Sequence, residues 1–132
     1  MNPYERYTEQ SVMTMTHGEM LIKLYEETIK QINIGKSSIL SKNIVTANAA
    51  LQKAQRILTY LKATLDFKYP ISSNLADLYD FFIEQLVAAN IRKETKLLDD
   101  ILPLVEELKD AFTQGERIAR MDSTNAQSYR VG

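Results

Sequence analysis

Few residues in this chain could do covalent or metal chemistry. His17 is the only histidine, and there is no cysteine. A lone histidine in the first turn of a helix, with Gly18 after it, is ordinarily a surface residue. A phosphotransfer bundle also works with one histidine, but places it mid-helix on an exposed face. Three acidic pairs occur: Glu26-Glu27, Asp99-Asp100 and Glu106-Glu107. Neighbouring residues in a helix point about 100° apart, so the two members of a pair cannot face one metal ion. A carboxylate-bridged di-metal bundle needs Glu-x-x-His pairs on facing helices, and the sequence has none. No glycine-rich loop is present to cradle a phosphate. The sequence therefore assigns no catalytic, cofactor-binding or metal-ligating residue and implies no cofactor.

The bulk properties point the same way. The chain has 132 residues, 45% hydrophobic and 25% charged, with a net charge of −1. That is one soluble domain with room for a core. Its charge balance suggests neither a nucleic-acid nor an anionic-membrane partner. No apolar run approaches the ~20 residues of a membrane span. The polar start "MNPYERYTEQ" has no signal-peptide character. The absence of cysteine fits a reducing compartment. The expectation is a cytoplasmic protein with no membrane insertion.

Four segments have the period of a helix. The first runs from His17 to Leu40, with the stripe Leu21, Leu24, Thr28, Ile32, Gly35 and Ile39, widened by Ile22, Tyr25 and Ile29. Thr16 and Glu19 have capping-box spacing, and Met15 and Met20 the spacing of a hydrophobic staple. After "SKN", where Ser41 or Asn43 can cap, the second spans Ile44 to about Leu65. Its stripe includes Ala47, Leu51, Ala54, Leu58 and Leu61. Pro70 breaks the pattern, and Ser72 or Ser73 can cap the third helix, "NLADLYDFFIEQLVAANI". Leu75, Leu78, Tyr79, Phe82, Leu86 and Ala89 form its stripe. The fourth, "TKLLDDILPLVEELKDAF", contains Pro103, which removes a hydrogen bond to Asp99 and predicts a kink there or a late start. After Gly115 the periodicity dissolves. The reading is all-α: an antiparallel up-down four-helix bundle over residues 1–115. An irregular segment at 1–15 precedes it and a mobile, disordered tail at 116–132 follows.

These helices carry more apolar surface than one core needs. Met20, Ile22 and Ile29 exceed the stripe of the first helix, Ile44 and Val45 that of the second, and Phe81, Ile83 and Val87 that of the third. Such a surplus suggests self-association or a groove for a partner helix. Ahead of the first cap, Tyr4, Tyr7, Val12, Met13 and Met15 could cover an apolar groove reversibly.

In its motifs the sequence resembles the flagellar secretion chaperones of the flagellin-binding FliS family. "NPYERYTEQSVMTMTHGEMLIKLYEE" is similar to the family's N-terminal signature at Tyr7, Val12, Thr14, Thr16, Leu21, Leu24 and Tyr25. "LQKAQRILTYL" matches at Leu51, Lys53, Ala54, Ile57, Leu58 and Leu61. "NLADLYDFFIEQLVAAN" matches at Leu75, Leu78, Tyr79, Asp80, Leu86, Ala89 and Asn90, and "LKDAF" stands where the family has Leu-Arg-x-Ala-Trp. The likeness covers about residues 2 to 115. His17 replaces the usual proline, Met15 the alanine, Glu27 a common glycine and Phe112 the tryptophan. A side chain at Glu27 would narrow a groove passing that side of the first helix.

The resemblance implies a cytoplasmic export chaperone rather than an enzyme. Its client would be the disordered C-terminal region of flagellin, with flagellar export apparatus components as further partners. Free, it would be a monomer or weak homodimer. The expected client groove comprises Ile44, Leu51, Tyr79, Ile83, Val87 and Asn90. The expected N-terminal cap comprises Tyr4, Tyr7, Val12 and Met13. Two other classes fit the residues less well: a self-associating structural bundle, and a phosphotransfer module using His17.

Overall fold

A computed structural model describes the backbone of residues 16–131 and the side chains of 16–119 and 121. Among the described residues there are four helices and no strand: α1 His17–Leu40, α2 Ile44–Ala63, α3 Ile71–Arg92 and α4 Lys96–Val131. Each packs on its neighbour in sequence, and α4 closes the ring against α1. Cross-helix pairs fix the directions. Glu27 of α1 meets Lys53 of α2, and Gly35 meets Leu51. Lys62 of α2 meets Asp80 of α3, and Asn48 meets Asn90. Lys36 of α1 pairs with Asp99 of α4 at 2.5 Å, while Thr16 meets Glu116. In every case one number rises as the other falls, so neighbouring helices are antiparallel and the bundle runs up-down-up-down.

The ends of the helices follow local chemistry. The capping box forms: the Glu19 N–H donates to Thr16 Oγ1 at 3.1 Å, and the Thr16 N–H to Glu19 Oε2 at 3.4 Å. Met15, the other half of the expected staple, lies outside the described residues. Asn43 is the cap of α2, its side chain accepting from the Thr46 N–H. The α2 helix stops at Ala63 rather than Leu65.

The start of α3 and both ends of α4 differ from expectation. Neither Ser72 nor Ser73 caps α3, whose cap position is Pro70 with helical angles. Ser72 lies in the first turn, and its hydroxyl donates to the Asp66 carbonyl at 2.6 Å, tying the loop to the helix. The α4 helix begins on time at Lys96 and continues through Pro103. Both Pro103 and Asp99 lie on the exposed face, where water can serve the carbonyl the proline leaves without a donor. Its backbone also remains helical past Phe112, as far as Val131. Gly115 is a weak breaker, worth about 1 kcal/mol against alanine. This extension passes the level of Thr16, and Ile118 and Met121 on it are exposed. The lost hydrophobic period thus marks a helix that has run out of core.

The core is one layer of side chains between the helices. Ile32, Leu51, Ala54, Leu58, Leu61, Phe82, Leu86, Leu98, Ile101 and Val105 are buried, as are Tyr25 and Tyr79. Leu58 and Phe82 sit mid-stripe as the periodicity predicts. Gly35 matters for the α1–α2 approach: a Cβ there would lie 2.5 Å from Leu51 Cδ2 and 2.8 Å from Cγ. The Leu51 side chain occupies the notch that Gly35 leaves.

Candidate functional site: a groove between α2 and α3

Facing stripes on α2 and α3 build the site. On α2, Asn48, Gln52, Gln55, Thr59 and Lys62 follow at spacings of four and three, so they share a face. On α3, Asp80, Ile83, Val87 and Asn90 do the same. Polar contacts tie the two stripes together at both ends. At one, Lys62 Nζ donates to Asp80 Oδ1 at 2.7 Å. At the other, Asn90 Nδ2 donates to Asn48 Oδ1 at 2.7 Å, and Lys93 Nζ donates to the Asn90 carbonyl and to Asn90 Oδ1 at 2.5 and 2.6 Å.

Between these clasps the helices leave an open hollow of about 490 Å³, lined by Gln52, Gln55, Arg56, Thr59, Ile83 and Val87. Its α3 wall is apolar and its α2 wall carries amides, a hydroxyl and one guanidinium. From Asp80 to Asn90 the helix rises ~15 Å, nearly three turns. A second hollow of about 390 Å³ adjoins it across the Ile83–Val87 ridge, lined also by Glu84, Ala88, Ile91 and Arg92. The apolar surface continues past the Asn90 clasp: Ile91 is 78% exposed, and at the start of α2 Ile44 and Val45 are 63% and 81% exposed.

The expected groove residues separate in this geometry. Ile83 and Val87 line the hollow together, Asn90 closes its end, and Ile44 stands beyond that end as exposed apolar surface. Leu51 and Tyr79 do not belong to it. Leu51 is fully buried against Gly35, and Tyr79 is 2% exposed, so neither offers a face to a partner. Their motif positions reflect packing. Sequence reasoning missed the α2 wall. Gln52, Gln55, Arg56 and Thr59 are ordinary polar residues on a helix surface, and only the opposite apolar row makes them part of a site. Tyr4, Tyr7, Val12 and Met13 lie outside the described residues.

The surplus on α1 has a different fate. Met20, Ile22 and Ile29 are half-buried, and Ile29 packs on the core. With His17, Leu21, Leu24, Tyr60 and Thr64, Met20 lines a small hollow where the chain enters α1. Glu27 is held in place: it accepts from Gln31 Nε2 at 2.9 Å and pairs with Lys53 Nζ at 3.2 Å. Partial burial pushes its carboxyl up, but the Gln31 hydrogen bond and the Lys53 charge outweigh this and hold it below the usual range.

At the bundle centre the hydroxyls of Tyr25 and Tyr79 are hydrogen-bonded across the diagonal from α1 to α3. Phe112 stacks beside Tyr25, with ring centroids 5.4 Å apart. Burial raises both phenols above their ordinary value. The shared hydrogen bond adds to the rise at Tyr25 and opposes it at Tyr79.

Among the described residues no three His, Cys, Asp or Glu side chains converge as a metal site, and no helix is long and apolar enough to cross a membrane. His17 is an exposed residue at the first position of α1. What the site offers is an open trough between two helices, apolar along α3 and polar along α2.

Comparison with known proteins identifies the family of the chain. The family model described as "Flagellar protein FliS" matches residues 1–119. The flagellar secretion chaperone FliS of Bacillus subtilis is 33% identical over 121 residues, which cover 92% of this chain and 91% of that one. The protein of the same name from Vibrio cholerae is 26% identical over 117 residues, covering 86% of each. A crystal structure of a flagellar chaperone from bacteria superposes with a TM-score of 0.73 at 23% identity, covering 86% of this chain and 94% of that one. The chain belongs to the FliS family of flagellar secretion chaperones.

Proposed function

We propose that this protein binds the disordered C-terminal region of flagellin in the cytoplasm, seats part of it as a helix in the α2–α3 groove, and hands it to the flagellar export system. The observation that carries this reading is the open trough between two polar clasps, with Ile83 and Val87 as its apolar wall. Flagellin's terminal segment is amphipathic and assembles by pairing with its own copies. Laying its apolar face on Ile83 and Val87 hides that face and prevents premature polymerisation. No nucleotide or cofactor is needed. Binding coupled to folding buries ~1,000–3,000 Å² and spends several kcal/mol on ordering the client. A helix of about three turns fills the trough, so the rest of the client must run on past Ile91 and Ile44.

Titration calorimetry with a flagellin C-terminal peptide tests the groove. Val87 is the cleaner probe, being 39% exposed, whereas Ile83 is half-buried and packs on the core. In Val87→Asp the free carboxylate stays in water, but a bound apolar helix would desolvate it at a cost of several kcal/mol. Binding should fall by two orders of magnitude or so with the helical melt unchanged. Full affinity in a folded Val87→Asp protein would overturn the reading. Solution mass with and without the peptide separates it from self-association, which would show as a homodimer indifferent to the peptide.

A further inference from the structure

Arg56 stands in the middle of the α2 wall of the groove, and among the described residues it has neither an ion pair nor a hydrogen bond. The other five lining side chains are uncharged. Other charges near the groove are accounted for separately. Lys62 and Asp80 neutralise each other at one clasp. Lys93 at the other clasp bonds to the neutral groups of Asn90 and has no carboxylate partner. Glu84 and Arg92 line the adjoining hollow, and neither Glu84 nor Glu94 forms an ion pair with Arg56 or Lys93. The groove therefore carries uncompensated positive charge in a chain whose net charge is −1.

We infer that Arg56 is a specificity residue of the groove, receiving an acidic side chain that the bound helix presents beside its apolar stripe. The inference rests on the reading of the groove as the flagellin site. A helix laid on Ile83 and Val87 turns one flank toward α2. A carboxylate on that flank, one turn from an apolar anchor, meets the guanidinium with its planar, bidentate donors. Gln52, Gln55 and Thr59 can bond to uncharged polar groups around it. A lysine on the same flank would be repelled, so the contact fixes which way round and in which register the client helix lies.

The test is a charge swap by calorimetry. Native, Arg56→Glu and Val87→Asp proteins are titrated with a flagellin C-terminal peptide and with a set of its variants, each carrying one acidic residue changed to lysine. Arg56 is exposed, so Arg56→Glu should melt like the native protein. We expect Arg56→Glu to bind the native peptide about fivefold to tenfold more weakly. One lysine variant, and only one, should bind Arg56→Glu better than it binds the native protein. Raised salt should narrow the difference between native and Arg56→Glu proteins. If Arg56→Glu binds the native peptide as tightly as native protein does, or no lysine variant recovers, the role of Arg56 is overturned. In that case loss of binding in Val87→Asp still upholds the groove. If Val87→Asp also binds normally, or the native protein binds no peptide, the groove reading itself fails and Arg56 falls with it.

Discussion

The hydroxyl of Tyr25 on α1 is hydrogen-bonded to that of Tyr79 on α3, across the middle of the bundle. Helices α1 and α3 are diagonal partners that run parallel, and this bond joins them through the core. Each phenol satisfies the other in a place water does not reach. Removing one hydroxyl leaves its partner buried and unpaired, at about 1–3 kcal/mol. Removing both leaves an apolar contact of nearly the same shape. Tyr25→Phe and Tyr79→Phe should each lower the free energy of unfolding in urea by that amount. The double variant should recover much of the loss. Additive losses would show that the two hydroxyls are not coupled.

The same pair sets a limit at high pH. Burial raises both phenols above their ordinary value of 10.0. Above about pH 10 the unfolded chain releases these protons while the folded chain retains them. The unfolded state then binds fewer protons, so stability falls as pH rises. Below pH 10 the pair contributes its full stability. Urea midpoints measured from pH 8 to 11 should drop beyond pH 10, and the drop should be shallower in the double phenylalanine variant. Parallel curves for the two proteins would refute the assignment.

Gly35 controls how closely α1 and α2 approach. Alanine is the better helix former by about 1 kcal/mol, so on an open surface Gly35→Ala would stabilise. Here the added methyl meets the side chain of a fully buried Leu51, which would have to shift. Overpacking of this kind costs ~1–3 kcal/mol. The net expectation is a loss of about 1 kcal/mol in chemical denaturation, with partial recovery in Gly35→Ala/Leu51→Val. A stabilised Gly35→Ala protein would mean the helices can part at little cost.

The fold was legible because each helix carries its stripe at a regular spacing. Leu58 and Phe82 are buried where that spacing puts them, and Thr16 caps α1 with Glu19 as the motif dictates. The site was legible only in half. An apolar excess on α3 can be counted along the sequence, so Ile83 and Val87 were within reach. Tyr79 and Leu51 were not separable from them, because a motif position does not say whether a residue faces the core or the surface. Arg56 and its neighbours gave no signal at all, since a polar residue on a helix becomes part of a groove only through the helix beside it. The hydrophobic period did not mark the end of α4, which continues past Phe112, because a backbone can remain helical after its packing partners end.

Core truncation gives the scale against which groove variants are judged. Leu58 and Phe82 are both fully buried. Leu58→Ala and Phe82→Ala should each cost ~2–5 kcal/mol, the lost transfer energy plus the cavity left behind. Thermal or urea unfolding should show this directly. A cost below ~1 kcal/mol at either position would mean that the core collapses around the gap.

The segment ahead of α1 should compete with the client. The chain enters α1 at Thr16, which is fastened three ways: its N–H to Glu19, its Oγ1 from the Glu19 N–H, and its hydroxyl to Glu116 Oε1 at 3.2 Å. This anchoring fixes the position of Thr16, the residue to which the segment is joined. Fifteen residues extend to ~50 Å at most, against the ~30 Å length of the 20-residue α2 helix. Tyr4, Tyr7, Val12 and Met13 give the segment apolar groups to place in the α2–α3 groove. A groove covered in nine of ten molecules would weaken apparent client affinity about tenfold. Deleting residues 2–13 leaves the capping box intact and should tighten binding of a flagellin C-terminal peptide by a factor of that order. If Tyr4 and Tyr7 instead hold the client, the same deletion weakens it. Calorimetry on the full-length and shortened proteins distinguishes the two by sign, and weaker binding by the shortened protein would rule competition out.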